Sequence, residues 1–182
     1  MTEMEIENLK KKLLPVDKKS YGKEYNRHVL EQYRLYVEMA DRVSSRRAKA
    51  NTFFVSVNTL LITAISILAE IRSSLVSMTF WWVLATSFAG ILVCWIWLST
   101  ISSYRQLNSG KFKVINAIEQ ELPLAMYNAE WAYLKPKIGV SKYNQLTNVE
   151  RWVPKIFAAL YFVLLLIASY LMLPPYFASL FN

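Results

Sequence analysis

Cysteine and histidine are almost absent from the chain, which holds one residue of each among 182, Cys94 and His28. A single cysteine forms no intrachain disulfide, and one histidine without a cysteine pair does not supply the ligands of a zinc site. Glycine is scarce too, with four residues, and neither common glycine-rich phosphate loop is present. No nucleophile elbow accompanies the histidine. We therefore expect neither an enzyme nor a bound metal or cofactor.

Charged side chains are missing from three long stretches, although 19% of the residues in the chain are charged. Asp, Glu, Lys and Arg are absent between Lys49 and Glu70, between Arg72 and Arg105, and beyond Lys155. A spanning helix needs about 20 mostly apolar residues, so each gap can hold one span. The gaps predict three membrane spans, near residues 52–70, 79–100 and 153–174.

Positive charge alternates between the ends of these spans. Lys and Arg number twelve in residues 1–50, one in the link at Arg72, eight in residues 101–155 and none in the tail. Because cytoplasmic segments carry the excess of Lys and Arg, this alternation predicts a cytoplasmic N-terminus and an external C-terminus. Residues 1–50 lack an apolar signal-peptide core, so the first span is expected to act as an internal anchor. Anionic lipid accounts for the net charge of +8, and we expect no nucleic-acid polymer as a partner.

An apolar heptad runs from the cytoplasmic segment into the first span, within a stretch from Asn26 to Glu70 that has no Gly or Pro. Its members are Val29, Tyr33, Tyr36, Ala40, Val43, Ala50, Phe54, Val57, Leu61, Ala64 and Leu68. The spacing predicts one long helix, cytoplasmic in its first half and spanning in its second. Apolar residues between Ile101 and Leu122 extend the second span in the same way, so the two arms are expected to pair antiparallel.

These patterns predict an all-α membrane protein with three transmembrane helices and long cytoplasmic helical extensions that form a stalk. The predicted organisation is a charged N-terminal arm at 1–25, a helix–membrane hairpin–helix unit at 26–122, a cytoplasmic region at 123–152, and a third span with an outer tail at 153–182. The cytoplasmic region is expected to hold one short helix near Tyr127–Leu134. Pro174-Pro175 is expected to end the third helix.

A row of polar side chains follows the first span at alternating spacings of four and three. The polar row comprises Thr52, Ser56, Thr59, Thr63, Ser66 and Glu70, with Asn51 and Asn58 beside it. A polar helix face at membrane depth should meet water, another helix or a ligand. One interpretation is a water-filled lumen at the axis of several copies, in which Glu70 forms an acidic ring that favours cations. The other is ordinary packing, because Ser and Thr are common where helices touch.

Small residues recur in the second span at spacings of four, at Thr86, Gly90 and Cys94. Such spacing lets two helices approach closely, so we expect a structural contact there rather than thiol chemistry.

Basic side chains form two cytoplasmic clusters near the predicted inner membrane surface. The first comprises Arg42, Arg46, Arg47 and Lys49, and the second comprises Arg105, Lys111 and Lys113. Arg supplies bidentate contacts to an anion such as a nucleotide. A collar on anionic lipid headgroups is the alternative, since the positive-inside bias alone places cations there.

Three segments carry a family resemblance. Leu30–Leu60 reads LEQYRLYVEMADRVSSRRAKANTFFVSVNTL, Ser103–Leu122 reads SYRQLNSGKFKVINAIEQEL, and the stretch around Tyr127–Trp152 contains YNAEW and NVERWVP. Together they resemble the RipA-type family of small bacterial inner-membrane proteins, described as octameric. The part through the membrane hairpin is also similar to the SLATT class of two-span effectors, which are associated with nucleotide-signalled antiphage defence and described as pore-forming. The resemblance implies a homo-oligomeric, ring-like assembly in the inner membrane, and the third span departs from the SLATT plan.

The favoured function is a homo-oligomeric ion-conducting pore or pore-forming effector, gated by an anionic ligand on its cytoplasmic face. Membrane lipid, further copies of the chain, and a nucleotide or anionic lipid are the expected partners. A non-conducting scaffold that organises partner proteins or lipid is the first alternative. A membrane enzyme is the second, and it would depend on His28, Glu70 or Glu130 although no matched nucleophile and base are present.

Overall fold

Helices account for almost all of the chain that the structure describes. In the computed structural model we describe residues 3–71, 76–134 and 146–180, with side chains at 7–67, 80–134 and 148–170. The helices are α1 (Glu3–Leu13), α2 (Lys18–Tyr21), α3 (Tyr25–Ile71), α4 (Val76–Glu119), α5 (Met126–Leu134), α6 (Leu146–Glu150) and α7 (Trp152–Leu180). About 90% of the described residues are helical and none of them forms a strand, which confirms the all-α prediction. The link between the first two spans at 72–75 and residues 135–145 of the predicted cytoplasmic region lie outside the described residues.

Two helices are much longer than a membrane is thick. α3 has 47 residues and α4 has 44, so at about 1.5 Å per residue each is roughly twice as long as the ~30 Å hydrocarbon core. Each therefore extends well beyond one membrane face, as the heptad predicts. Ser109-Gly110 does not interrupt α4, which ends at Glu119, and α5 confirms the predicted short helix.

Three helical segments are long and apolar enough to cross a membrane: α3, α4 and Asn148–Tyr170, which lies mostly in α7. The prediction of three spans is confirmed. Pro174-Pro175, however, lies inside α7, which continues to Leu180, so the prediction that this pair ends the helix is wrong. A proline removes one backbone donor from a helix. Apolar spanning helices tolerate that loss because neighbouring groups and local adjustment satisfy the freed carbonyl.

The first of two compact units comprises Met1–Arg47 and Ser103–Asn144. Its core joins the first half of α3 to the second half of α4, with Tyr33 and Ala40 buried against Ile115. Partly buried residues packed around them are Tyr36, Val37, Ile118, Leu122 and Tyr127. This cluster confirms that the two arms pair, and Tyr127 brings α5 onto the same core. An exposed ion pair between Lys10 Nζ and Glu121 Oε1, at 3.3 Å, connects α1 to the chain after α4.

The second unit comprises Ala48–Ser102 and Gln145–Asn182, and it holds the three spans. Its core buries Ile65 of α3, Cys94 of α4 and Tyr161 of α7 together. Partly buried residues around them are Leu61, Ile62, Val83, Ile91, Phe157, Ala158 and Leu164. All three spans therefore pack against one another in a single chain.

Close approach of α4 and α7 depends on Gly90. A Cβ atom built on Gly90 would collide with the ring of Tyr161, which is fully buried. The neighbouring Cys94 is buried as well. The predicted structural role of the small residues in the second span is confirmed at these two positions.

Candidate functional site: the polar row of the first span

A hydrogen-bonded seam of polar side chains joins the three spans at the centre of the second unit. Asn58 is completely buried, and its amide donates to the backbone carbonyl four residues earlier at 2.8 Å. Cys94 Sγ donates to Asn58 Oδ1 at 3.4 Å, and Tyr161 Oη donates to the Asn58 carbonyl at 3.2 Å. Near the first turn of the span, Trp97 Nε1 donates to Asn51 Oδ1 at 2.9 Å. Both side-chain polar groups of Asn58 and the side-chain oxygen of Asn51 are thus hydrogen-bonded inside the bundle, as polar groups at membrane depth require.

The seam corrects the sequence-based assignment of the buried face of α3. The heptad places Val57 and Ala64 on that face, yet Val57 is only half-buried and Ala64 is exposed, whereas Asn58 and Ile65 are buried. A signal for the correct face exists in the sequence. Positions 51, 54, 58, 61 and 65 also alternate by three and four, and the two Asn residues in that series mark contact between helices better than Val or Ala does.

The polar row lies on a different side of α3, where its own chain leaves it uncovered. Thr52, Ser56, Thr59, Thr63 and Ser66 are all exposed. On a helical wheel at about 100° per residue, the centre of the row lies roughly 135° from the centre of the buried face. Neither α4 nor α7 of the same chain therefore covers these hydroxyls. Glu70, the last predicted member, has its side chain outside the described part of the structure.

Four hydroxyls of the polar row bond the backbone of their own helix. Thr52, Thr59, Thr63 and Ser66 donate to the carbonyl four residues earlier, at 3.2, 2.9, 2.9 and 3.0 Å respectively. Each hydroxyl oxygen keeps lone pairs with which it can accept a further hydrogen bond. The row can therefore border water, and it can also lie against another helix without leaving a donor unsatisfied.

The other spans present a different surface. On α4 every exposed side chain between residues 80 and 98 is apolar, and the same holds on α7 between residues 156 and 167. Trp81, Trp95 and Leu166 are examples that are more than half exposed. Apolar surfaces of this kind suit contact with lipid. Only α3, among the described spans, exposes a polar row at this depth.

The basic residues proposed from the sequence have different environments. Arg42 forms an ion pair with Glu38 at 2.7 Å, and both side chains are largely exposed. Lys111 is only 9% exposed, and its Nζ lies 4.5 Å from the centre of the Tyr36 ring, an attractive cation–π contact. Of the other cations in the two predicted clusters, Arg46, Lys49, Arg105 and Lys113 are exposed and Arg47 is partly buried. Lys49 belongs to the second unit and the others to the first.

Sequence reasoning missed a buried carboxylate in the first unit, that of Glu119. It is 1% exposed, and it accepts hydrogen bonds from Tyr33 Oη at 3.0 Å and from the backbone N–H groups of Tyr127 and Asn128 at 3.0 and 3.1 Å. These two N–H groups belong to the first turn of α5, where they have no partner within the helix and where negative charge is favoured. Burial, followed by the bond to Glu119, raises the pKa of Tyr33 to about 12.

Most of the chain matches a known family of membrane proteins. The model of the octameric membrane protein family (8xMP) matches residues 30–170, well over half of the chain. The chain belongs to the octameric membrane protein family. No match was found among the curated proteins or among the solved structures.

The region matched to the octameric membrane protein family contains every feature described in this subsection. It begins at Leu30, in the second turn of α3, and ends at Tyr170, the last described side chain of α7. The polar seam, the polar row and the buried Glu119 all lie inside it, whereas α1 and α2 lie outside. Membership supports self-association into a membrane oligomer, and the surface through which copies meet must then come from faces that one chain leaves uncovered.

Proposed function

We propose that the protein is a homo-oligomeric pore of the bacterial inner membrane, in which the polar row of α3 lines a central lumen. The observation that carries the proposal is the exposure of this row, whereas every exposed side chain on α4 between residues 80 and 98 and on α7 between residues 156 and 167 is apolar. In a closed cyclic assembly, the same face of every copy points to the axis. Eight copies would repeat the five described hydroxyl side chains around that axis.

The proposed orientation has a cytoplasmic N-terminus and an external C-terminus, because Lys and Arg are concentrated on the segments assigned to the cytoplasm. Exposed cations such as Arg46 and Lys113 would then meet an anionic ligand, a nucleotide or a lipid headgroup, that controls opening. The resemblance to SLATT-class effectors supports a role in antiphage defence for such a pore.

Cysteine accessibility tests the proposal. Cys94 is the only cysteine, so Cys94→Ser provides a background without other thiols, and serine keeps a donor for Asn58. In that background we expect a charged, membrane-impermeant thiol reagent to modify Thr59→Cys and to reduce the current through reconstituted protein. Phe88→Cys is the matched control, since Phe88 is 59% exposed on the apolar face of α4, and it should not react. If the reagent modifies neither cysteine in protein that conducts ions, the polar row does not line the lumen.

A non-conducting scaffold is the second candidate, and the backbone-bonded hydroxyls favour it. Because Thr59 and Thr63 satisfy their own donors, the row can pack against a neighbouring helix without water. The scaffold predicts that the octamer forms while both Thr59→Cys and Phe88→Cys stay unreactive. In that case the copies would organise lipid or partner proteins rather than conduct ions.

A further inference from the structure

We infer that the permeant class of this pore is hydrated ions of more than one kind together with small polar solutes, because a ring of eight α3 helices cannot close tightly enough to dehydrate an ion. The inference rests on the proposed function. It follows from the faces that flank the polar row and from the geometry of an octagon.

Two apolar rows flank the polar row on the exposed side of α3. Phe53, Leu60 and Ile67, spaced by seven, are each at least half exposed. At about 100° per residue they lie roughly 80° to one side of the centre of the polar row. Val55, which is exposed, and the partly buried Ile62 lie roughly 70° to the other side by the same measure.

These angles match those of an eightfold ring. In a regular octagon the two neighbours of each helix lie about 68° to either side of the direction to the centre, close to the wheel positions of the two apolar rows. If the polar row faces the axis, one apolar row meets the opposite row of the next copy. The contact is heterologous and repeats around the ring, as closed cyclic assemblies require. The buried face of α3 then points away from the axis, towards α4 and α7 of its own chain.

The width of the lumen follows from the spacing between neighbouring helices. Packed helices lie about 8–10 Å apart, and a regular octagon places each axis about 1.3 spacings from the centre, or roughly 10–13 Å. Subtracting a helix radius of about 5 Å leaves a lumen roughly 11–16 Å wide. The bulky Phe53 and Leu60 at the contact favour the wider value. A span of a neighbouring copy inserted between two α3 helices would widen the ring further, so the lower figure is a minimum.

Such a lumen holds about four or more water molecules across, given a water diameter of about 2.8 Å. Selection between ions of equal charge requires ligands that replace the hydration shell. The described hydroxyls of Thr59 and its neighbours cannot surround one ion from opposite walls of so wide a lumen. Charge near the mouth can still bias the pore towards cations, because the Debye length of about 8 Å at physiological salt is comparable to the lumen radius.

The contact is tested by cross-linking in the Cys94→Ser background. Positions 53 and 55 lie about 200° apart on the wheel and cannot be linked within one helix. Oxidation of the double variant Phe53→Cys/Val55→Cys should therefore produce a ladder of covalent species that ends at eight copies. Each single variant is the control, and neither should form the ladder. Absence of the ladder in the double variant, with an intact octamer, would overturn the arrangement.

The width is tested by permeation through reconstituted wild-type protein. We expect a reversal potential near zero when K⁺ faces Na⁺, a measurable current carried by N-methyl-D-glucamine, and entry of small but not large poly(ethylene glycols). Strong discrimination between K⁺ and Na⁺, or exclusion of the smallest polymers, would overturn the inferred width and leave the pore in place. A complete ladder with no conductance and an unreactive Thr59→Cys would instead refute the proposed function, and the permeant class with it.

Discussion

Replacement of Gly90 by alanine should destabilise the bundle of spans. A Cβ atom at this position would collide with the ring of Tyr161. The ring cannot readily move away, because it is fully buried and its hydroxyl is bonded to the Asn58 carbonyl at 3.2 Å. Overpacking of a well-packed core costs about 1–3 kcal/mol, while the gain in helix propensity from glycine to alanine offsets up to about 1 kcal/mol. We therefore expect Gly90→Ala to lower the free energy of unfolding by about 1–2 kcal/mol.

The protein contains its own reporter for this measurement. Cys94 is the only cysteine and is 1% exposed, so a thiol-reactive fluorophore should label it only as the spans separate. Heating the octamer in detergent with such a dye gives an unfolding midpoint, which Gly90→Ala should lower by several degrees.

A second substitution separates the collision from other effects of alanine. Replacing Tyr161 by leucine removes the ring, so the penalty for Gly90→Ala should be much smaller in the Tyr161→Leu background than in the wild type. A double-mutant cycle measures this difference. If Gly90→Ala is as stable as the wild type, or if its penalty is the same in both backgrounds, the close contact of Gly90 with Tyr161 does not limit the packing.

Three further predictions concern the arms and the polar row. Tyr33→Phe should remove a pH-dependent part of the free energy of unfolding. Because the pKa of Tyr33 in the folded protein, about 12, exceeds the usual 10, the wild type is stabilised below pH 10 and loses that stabilisation between pH 10 and 12. Unfolding midpoints of both proteins across that window test this, and parallel curves would contradict it. Thr59→Val combined with Thr63→Val should lower the single-channel conductance, whereas Thr100→Val on α4, whose hydroxyl also bonds its own backbone at 2.9 Å, should not. Glu70→Gln should reduce cation preference without altering the oligomer, and an unchanged reversal potential in a salt gradient would count against an acidic ring.

The length and number of the helices could be predicted from the sequence because charge placement determines them. Segments without charge between Lys49 and Glu70 and between Arg72 and Arg105 have few alternatives to crossing a membrane. The paired arms were predictable for a related reason. Tyr33 and Ala40 lie on an apolar row in a hydrophilic segment, and such a row in water must be covered.

The buried face of α3 within the membrane was harder to predict, because in lipid the most apolar residues of a helix are not the ones that it buries against other helices. In lipid an apolar side chain such as Leu60 is stable on the outside, whereas polar and small residues such as Asn58 mark the helix contacts. A heptad that follows the most apolar residues therefore deviates by one position at Val57. Glu119 could not be assigned from sequence at all, since its partners are Tyr33 of α3 and the first turn of α5, and their positions relative to α4 depend on tertiary packing.

The continuity of α3 determines how a mechanical input could travel along it. From Tyr25 to Ile71 the helix contains no glycine or proline, the residues at which sharp bends usually occur. A bend would require breaking backbone hydrogen bonds at membrane depth, which is costly. A displacement imposed on one end of the span is therefore transmitted along it as rotation or sliding of a stiff shaft rather than as flexing at a joint. A turn of about 80° would exchange the hydroxyls for Phe53 and Leu60 on any given side of that shaft.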